Sequence, residues 1–316
     1  MGTQHGAAGS RLLHSTIDLV VQFPCCRLGK KFIQQGQACE PRCGAESFAE
    51  NAEAAREVDA AGKVVTPGFI DLHTHSDNSF LVDPLADSKL TQGVTFELMG
   101  NCGMSYCAPL NDQTFDEFKS RTDKFDPEYQ PGWSTMGGYL SALEENGSTI
   151  NIAAQVGHGT VRRTVMGMEP RMPTPEEIDQ MQGIFADSLD EGALGMSTGL
   201  WYAPGSYSLA DEVIALTQPA ADRGKLYSSH IRSEADDLGG LFPAHAEAIE
   251  VGRRTGARIQ ISHVKSVGPK FWGRGHELIE GMEKARSEGI DVGGDQYPYE
   301  WSSTGFSGAM FARWAL

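Results

Sequence analysis

Five residues with metal-binding side chains follow short apolar segments of this sequence. His73 and His75 close the segment FIDLHTH, and Cys102 follows VTFELMGN. His230 follows KLYSS, and His263 follows RIQIS. Imidazole nitrogen and thiolate sulfur are donors that Zn²⁺ prefers in proteins. The residue types therefore predict a zinc site, provided that the fold brings these segments together.

The most compact of these signals is the pair of histidines at positions 73 and 75. Alternate residues of a strand point to the same face, so two imidazoles at the end of a strand over 69–75 can reach one cation. Two exposed histidines without a ligand would have the same spacing. The context PGFIDLHTHSD favours the metal site, because the pair follows a turn and an apolar strand and lies near Asp71.

Cys102 lies in the segment GNCG. A lone cysteine is more often a small buried apolar residue, and we interpret Cys107 in that way. The glycines around Cys102 allow the backbone to approach an ion closely, and a thiolate is a good zinc ligand. The remaining histidines occupy positions without such a context: His5, His14, His158, His245 and His276.

Alternating strands and helices must position these side chains. Short apolar runs predict seven strands, at 69–75, 94–103, 151–159, 192–200, 225–232, 258–266 and 290–299. Amphipathic stretches at 174–192 and 240–256 predict helices between them, the first with Thr174 as its N-cap and Glu177 three residues later. This order predicts parallel βα units and an α/β fold of the TIM-like (β/α)₈ barrel type, with its active site at the carboxyl ends of the strands. Seven strands are one short of closure, so we expect the last βα unit to be missing.

Two domains of unequal regularity are predicted. Residues 64–316 form the incomplete barrel, in which 104–150 is a long insertion that either shapes a substrate pocket or merely elaborates the surface. Residues 1–63 are an irregular remnant of a small β domain. Within it, 23–51 shows neither strand alternation nor a helical stripe, and we interpret this stretch as a displaced reading frame or a mispredicted exon. Reading the encoding DNA in the other two frames tests this hypothesis.

Charge and cysteine usage narrow the class of protein. A formal net charge of −16 argues against a general nucleic-acid binder, because phosphate contacts need clustered Lys and Arg. No apolar run reaches the roughly 18 residues of a membrane helix, and the first residues lack a signal peptide. We therefore expect a cytoplasmic protein with reduced cysteines that binds neither nucleic acid nor a membrane. A second zinc site is the alternative for the four N-terminal cysteines, although their spacing matches no common zinc finger: Cys25, Cys26, Cys39 and Cys43.

Six segments of the sequence together resemble one enzyme family. They are PGFIDLHTHSD, QGVTFELMGNCG, GALGMSTGLWYAP, SSHIRSEAD, ISHVKSVG and DQYPY. They resemble the D-aminoacylase (N-acyl-D-amino-acid deacylase) branch of the metal-dependent amidohydrolase superfamily, over roughly residues 53–304. The pair of histidines is shared across the superfamily, whereas the cysteine of GNCG and the segment STGLWYAP are more specific to this branch.

The resemblance implies two zinc sites that share one sulfur. The tight site would be formed by Cys102, His230 and His263. The second site, weaker and incomplete in this chain, would use His73 and His75, with Cys102 between the two positions. In this arrangement the thiolate takes the bridging place that a carboxylated lysine has in many members of the superfamily.

The resemblance also implies residues that act on the substrate. Tyr202 matches a tyrosine that polarises the substrate carbonyl, and the positions that hold the substrate carboxylate match Lys265, Tyr297 and Ser303. The general base of the family, an aspartate at the end of the eighth strand, has no counterpart in this sequence, and Asp295 does not match its position. We therefore expect a chain that is truncated at its C-terminus.

Three functions remain open at this point. The leading one is zinc-dependent hydrolysis of the amide bond of N-acyl-D-amino acids, a reaction on a non-peptide C–N bond. The second is a catalytically impaired fragment that still binds zinc. The third is a cyclic-amide hydrolase related to dihydropyrimidinase, which the cysteine ligand disfavours. The sequence does not indicate the oligomeric state or which amino acid the substrate carries.

Overall fold

The computed structural model describes Gly62 and residues 66–305 of the chain. The domain predicted for residues 1–63 lies outside the described residues, apart from Gly62. Within the described part there are seven strands: β1 Phe69–Asp71, β2 Val94–Met99, β3 Asn151–Gly157, β4 Gly195–Gly199, β5 Leu226–His230, β6 Arg258–Ile261 and β7 Val292–Gly294.

These strands form one parallel sheet in sequence order, from β1 at one edge to β7 at the other. The sheet curls with helices packed against it, so that the described residues form a large part of a TIM-like barrel. The predicted fold class is therefore confirmed. All seven strands run in the same direction, so their carboxyl ends lie together along one side of the sheet. This is the side on which a barrel has its active site.

Nine α-helices connect the strands in the part of the chain that the structure describes. They are α1 Ser79–Val82, α2 Asp87–Leu90, α3 Phe115–Thr122, α4 Met136–Asn146, α5 His158–Met166, α6 Pro175–Asp190, α7 Ala210–Asp222, α8 Leu241–Thr255 and α9 Gly275–Ser287. A short 3₁₀ helix spans Gly205–Tyr207. None of the helices in these residues is both long and apolar enough to span a membrane.

Capping residues explain where α6 begins and where α8 ends. The hydroxyl of Thr174 accepts a hydrogen bond from the Glu177 amide, and the Glu177 carboxylate accepts one from the Thr174 amide. This reciprocal pair satisfies two amides that the first turn leaves free. Helix α8 stops at Gly256, whose φ of +76° is easily adopted only without a side chain. Both predicted helices are confirmed within two residues.

The sheet holds a continuous apolar row on one face. Five side chains that are in register across β3 to β7 are each at most 2% exposed: Val156, Met196, Tyr227, Ile259 and Val292. They belong to the same buried cluster as Phe185 of α6 and Leu216 of α7. The alternating register therefore sends the apolar set into one core. The next row toward the carboxyl ends of the strands contains small or polar residues such as Ser197 and Ser228.

Several predicted boundaries differ from the structure. The first strand ends at Asp71, so His73 and His75 lie beyond it and do not share a strand face. The stretch 104–150 contains α3 and α4 and is not a simple loop. His158, which falls in the predicted strand 151–159, begins α5 in the structure, and His276 lies in α9. Helices α3 and α4 have only eight and eleven residues, and an amphipathic pattern of that length is too short to identify a helix from sequence.

His245 makes the stability of the fold depend on pH. It lies on α8 and is 4% exposed, and burial lowers its pKa from 6.5 to about 4. Between these two values the unfolded chain binds a proton that the native chain does not bind. We therefore expect the free energy of unfolding to fall by up to about 3 kcal/mol as the pH drops from 7 to 4, and this dependence to level off below pH 4.

Urea unfolding at a series of pH values measures this effect. In a His245→Leu variant the part of the pH dependence that His245 causes should disappear. The matched control is His276→Leu, because His276 is exposed on α9 and should leave the slope as it is in the wild type. Equal slopes for the wild type and His245→Leu would show that His245 titrates alike in both states.

Candidate metal centre

The five predicted ligands lie together at the carboxyl edge of the sheet. His230 is the last residue of β5, and His263 follows β6 by two residues. Cys102 follows β2 by three residues, and His73 and His75 follow the end of β1. The side chains therefore come from four strands that are distant in sequence, and the parallel sheet brings them to one place.

Their donor atoms form two groups that share one sulfur. The Sγ atom of Cys102 lies 3.3 Å from Nε2 of His73 and 3.7 Å from Nε2 of His263. In the first group, His73, His75 and Cys102 offer donor atoms within 4.8 Å of one another, and in the second group Cys102, His230 and His263 do so. The imidazole rings of His230 and His263 are 4.5 Å apart. This is the shared arrangement that the resemblance implied, whereas the role of each residue as a ligand stays a prediction.

Unusual backbone conformations place two of these side chains. Cys102 has φ of +55° and His263 has φ of +37°, values that residues with side chains rarely adopt. The Cys102 turn is packed so tightly against β4 that a Cβ on Gly199 would lie 2.0 Å from the carbonyl oxygen of Cys102. The Asn101 amide secures the same turn by donating to the Leu98 carbonyl at 2.9 Å. Strained backbone held by its surroundings is typical of functional sites.

His230 is a buried histidine whose ring nitrogens lack hydrogen-bond partners in the described part of the chain. It is 5% exposed, and neither of its ring nitrogens has a hydrogen-bond partner among the described residues. Burial, reinforced by the neighbouring His263, holds its pKa well below the usual value, so the ring is neutral. A buried polar atom without a partner is costly. A metal ion bound to one nitrogen would remove part of that cost, and the residues around His230 fit such an ion.

The thiol of Cys102 also favours a metal ion at this place. Its pKa is raised well above the usual value by burial and then by the carboxylates of Glu234 and Asp295. A thiolate at this position therefore requires a cation next to it. One sulfur and two imidazoles form a donor set that suits Zn²⁺. The chemistry of the donors and the unpaired nitrogens of His230 agree with the predicted zinc site.

Asp295 lies behind the ligands and not between them. Its Oδ1 atom is 3.4 Å from Nδ1 of His73 and accepts a hydrogen bond from the His263 amide at 2.6 Å. Burial acts to raise its pKa, but contact with His73 and two hydrogen bonds keep the value below the usual range. Because Nε2 of His73 faces Cys102, the carboxylate is on the opposite side of that ring. Asp295 therefore contacts two of the predicted ligands, His73 and His263, from the side away from Cys102.

Three of the four residues predicted to contact the substrate are connected to this centre: Tyr202 through His230, Lys265 through His263, and Tyr297 through Lys265. The ring of Tyr202 is 4.8 Å from that of His230, and its hydroxyl shares a hydrogen bond of 2.9 Å with Thr304. Burial raises the pKa of Tyr202 to about 12, so the hydroxyl keeps its proton at neutral pH. The Nζ atom of Lys265 lies 5.6 Å from the centre of the Tyr297 ring. Ser303 is exposed.

Glu234 is a residue at the centre that the sequence did not identify. Its Oε1 atom is 2.7 Å from Nδ1 of His263 and 2.6 Å from Nζ of Lys265. Burial acts to raise its pKa, but the hydrogen bond from His263 and the positive charges around it hold the value at about 2. Its contact partners are 29 and 31 residues away in sequence. The only local signal was its place four residues after His230, which by itself indicates nothing.

Comparisons with known proteins agree with this geometry. A family model described as "Amidohydrolase family" matches residues 56–296. An N-acyl-D-glutamate deacylase of Alcaligenes xylosoxydans xylosoxydans is 40% identical over 254 residues, which are 80% of this chain and 50% of that protein. The crystal structure of an N-acyl-D-glutamate deacylase from Bordetella bronchiseptica, complexed with zinc and a phosphonate inhibitor, superposes with a TM-score of 0.68 and 39% identity, covering 76% of this chain and 49% of that one.

A third similar protein is a D-aminoacylase studied for the functional role of its binuclear metal centre. It has a TM-score of 0.71 and 36% identity, and the match covers 78% of this chain and 51% of that one. The chain thus spans about half the length of the relatives it matches. The family model covers most of the sequence, and the described fold is that of the matched structures. The chain therefore belongs to the amidohydrolase family.

Proposed function

We propose that this chain carries the zinc-binding part of an enzyme that hydrolyses the amide bond of N-acyl-D-amino acids. The observation that carries the proposal is the sulfur of Cys102, which belongs to both groups of donor atoms. Two further facts support it, namely the similarity to an N-acyl-D-glutamate deacylase and to a D-aminoacylase with a binuclear metal centre. The substrate would be a small acylated D-amino acid.

In this proposal the two groups of donors bind zinc with different strength. Cys102, His230 and His263 would hold the tighter ion, because these three residues are all buried. His73 and His75 with Cys102 would form the weaker site, since His75 is exposed. Bound zinc would lower the pKa of a water molecule to near 7 and polarise the acyl carbonyl.

The other residues of the site would bind and polarise the substrate. The protonated hydroxyl of Tyr202 would donate a hydrogen bond to the carbonyl oxygen as negative charge develops on it. Lys265, Tyr297 and Ser303 would bind the carboxylate of the amino acid. None of the described residues is assigned as the general base that orients the water and protonates the leaving amine.

Tyr202 allows a direct test of this assignment. We expect Tyr202→Phe to lower kcat by about 10²- to 10³-fold, the usual effect of removing one donor to an oxyanion, while zinc content is unchanged. The control is Tyr129→Phe on the β2–β3 connection, which should retain wild-type kcat. Steady-state kinetics with N-acetyl-D-amino acids, together with metal analysis, measure both. Equal rates for Tyr202→Phe and the wild type would remove Tyr202 from the mechanism.

The experiment that tests the proposed function uses the 316-residue chain itself. Its bound zinc is measured, and hydrolysis of N-acetyl-D-amino acids is compared with that of their L forms. Turnover that is selective for the D form, and that is lost when zinc is removed by a chelator, supports the proposal. Zinc at about one ion per chain without turnover would identify a binding-competent but inactive chain. Hydrolysis of dihydropyrimidines in place of acylated amino acids would favour the cyclic-amide reaction.

A further inference from the structure

Glu234 connects a predicted zinc ligand with a predicted substrate-binding residue. It lies in the loop after β5, is 7% exposed, and faces the loop after β6. Its Oε1 atom contacts Nδ1 of His263 at 2.7 Å and Nζ of Lys265 at 2.6 Å. The Nζ atom of Lys265 is itself 2.9 Å from Nδ1 of His263. A carboxylate and an ammonium group therefore meet at one ring nitrogen.

The proton on the imidazole of His263 determines whether that ring can bind a metal. Its Nε2 atom faces the sulfur of Cys102 at 3.7 Å, so this nitrogen must offer its lone pair to an ion. A neutral imidazole then carries its proton on Nδ1. A carboxylate accepts a hydrogen bond from Nδ1–H, whereas an ammonium group can only donate. Glu234 and Lys265 therefore favour opposite tautomers of the same ring.

We infer that Glu234 is a positioning residue that selects the metal-binding tautomer of His263 against the competing ammonium group of Lys265. Its Oε1 atom accepts hydrogen bonds from both neighbours, and it thereby offers the lysine an acceptor that competes with the ring nitrogen. The inference deepens the proposed function, because it rests on His263 as a zinc ligand. It does not depend on turnover. Carboxylates behind ligating histidines commonly strengthen metal binding by 10- to 100-fold.

Selection of a tautomer by Glu234 has a consequence that a purely structural role would not have. In Glu234→Gln the neutral amide no longer restrains Lys265, whose ammonium group then donates to Nδ1 of His263 and favours the wrong tautomer. Zinc affinity should therefore fall by about 10- to 100-fold. In Lys265→Met the competing donor is gone, so affinity should stay the same or increase. In the double variant Glu234→Gln/Lys265→Met the glutamine oxygen can accept a hydrogen bond from Nδ1–H of His263 without competition from an ammonium group. Zinc affinity should therefore be higher than in Glu234→Gln alone.

The test measures binding of the first zinc ion to the metal-free full chain by competition with a chromophoric chelator. The four N-terminal cysteines are replaced by alanine in all samples, so that they cannot bind the metal: Cys25, Cys26, Cys39 and Cys43. The matched control for loss of one carboxylate is Glu277→Gln, which removes an ion pair with Arg274 on α9. Circular dichroism of each metal-free variant verifies that it folds.

The expected pattern is weaker binding in Glu234→Gln, recovery in the double variant, and wild-type binding in Glu277→Gln. Two results would overturn the inference. One is a Glu234→Gln variant that is folded and binds zinc as tightly as the wild type. The other is a double variant that binds zinc more weakly than Glu234→Gln, because additive losses indicate packing and not a choice of tautomer. The zinc titration contains no substrate. A chain that shows this pattern of zinc binding but does not hydrolyse N-acyl-D-amino acids would contradict the proposed function and leave the role of Glu234 in place.

Discussion

Cys102→Ala is expected to eliminate tight zinc binding, because the sulfur belongs to both groups of donor atoms. Apparent binding energies of zinc sites are about 10–16 kcal/mol, so one ligand among three or four contributes roughly 3–4 kcal/mol. We therefore expect the dissociation constant for the first ion to rise by two to three orders of magnitude. No other single ligand should have so large an effect on both ions. Zinc titration with fluorescence or calorimetric detection measures the change.

Cys107 provides the matched control for this experiment. It is a free cysteine, 1% exposed, and it lies five residues after Cys102 but in neither group of donors. Cys107→Ala removes a buried sulfur of the same kind and should bind zinc as the wild type does. Equal weakening in both variants would mean that loss of packing and not loss of a ligand reduced the affinity.

Glu212→Leu is expected to cause the largest loss of stability outside the site. Arg162 is fully buried, and its Nε atom lies 3.1 Å from Oε1 of Glu212, which also contacts Nε2 of His158 at 3.0 Å. Burial acts to raise the pKa of Glu212, but contacts with His158 and Arg162 keep it below the usual value. Removing this carboxylate leaves a guanidinium group buried without its counter-charge. Such a change costs about 3–5 kcal/mol, and denaturant unfolding measures it.

The control for this variant is an ion pair at the surface. Asp190 and Arg223 form two hydrogen bonds of 2.7 and 2.8 Å, although the Asp190 side chain is 64% exposed. Water screens such a pair, so Asp190→Asn should lose only a small fraction of the stability that Glu212→Leu loses. Similar losses in the two variants would show that burial does not determine the strength of these ion pairs.

The positions of the ligands could be predicted from sequence because a parallel sheet converts strand order into proximity. His230 and His263 end neighbouring apolar runs, and the fold places their rings 4.5 Å apart. The geometric reason given for His73 and His75 was wrong, since β1 ends at Asp71 and a strand's alternation does not apply to them. Both histidines nevertheless have a donor atom within 4.8 Å of the Cys102 sulfur.

Other features of the site depended on contacts that no local pattern records. Glu234 reaches His263 only because two loops from adjacent strands fold against each other. The left-handed conformation of Cys102 likewise depends on packing of its turn against Gly199. Tyr202 was assigned by resemblance, and its contact with Thr304 crosses 102 residues of sequence. Strand periodicity indicates which residues approach the site, whereas side-chain partners across loops require the three-dimensional structure.

The measurement that tests the metal centre most directly is the absorption spectrum of the chain after replacement of zinc by Co²⁺. A thiolate bound to Co²⁺ produces a charge-transfer band in the near ultraviolet. With the four N-terminal cysteines replaced by alanine, we expect this band in the otherwise unaltered chain and in Cys107→Ala, and its loss in Cys102→Ala. A band that persists without Cys102, or that never appears while Cys102 is present, would contradict a metal centre built on this sulfur.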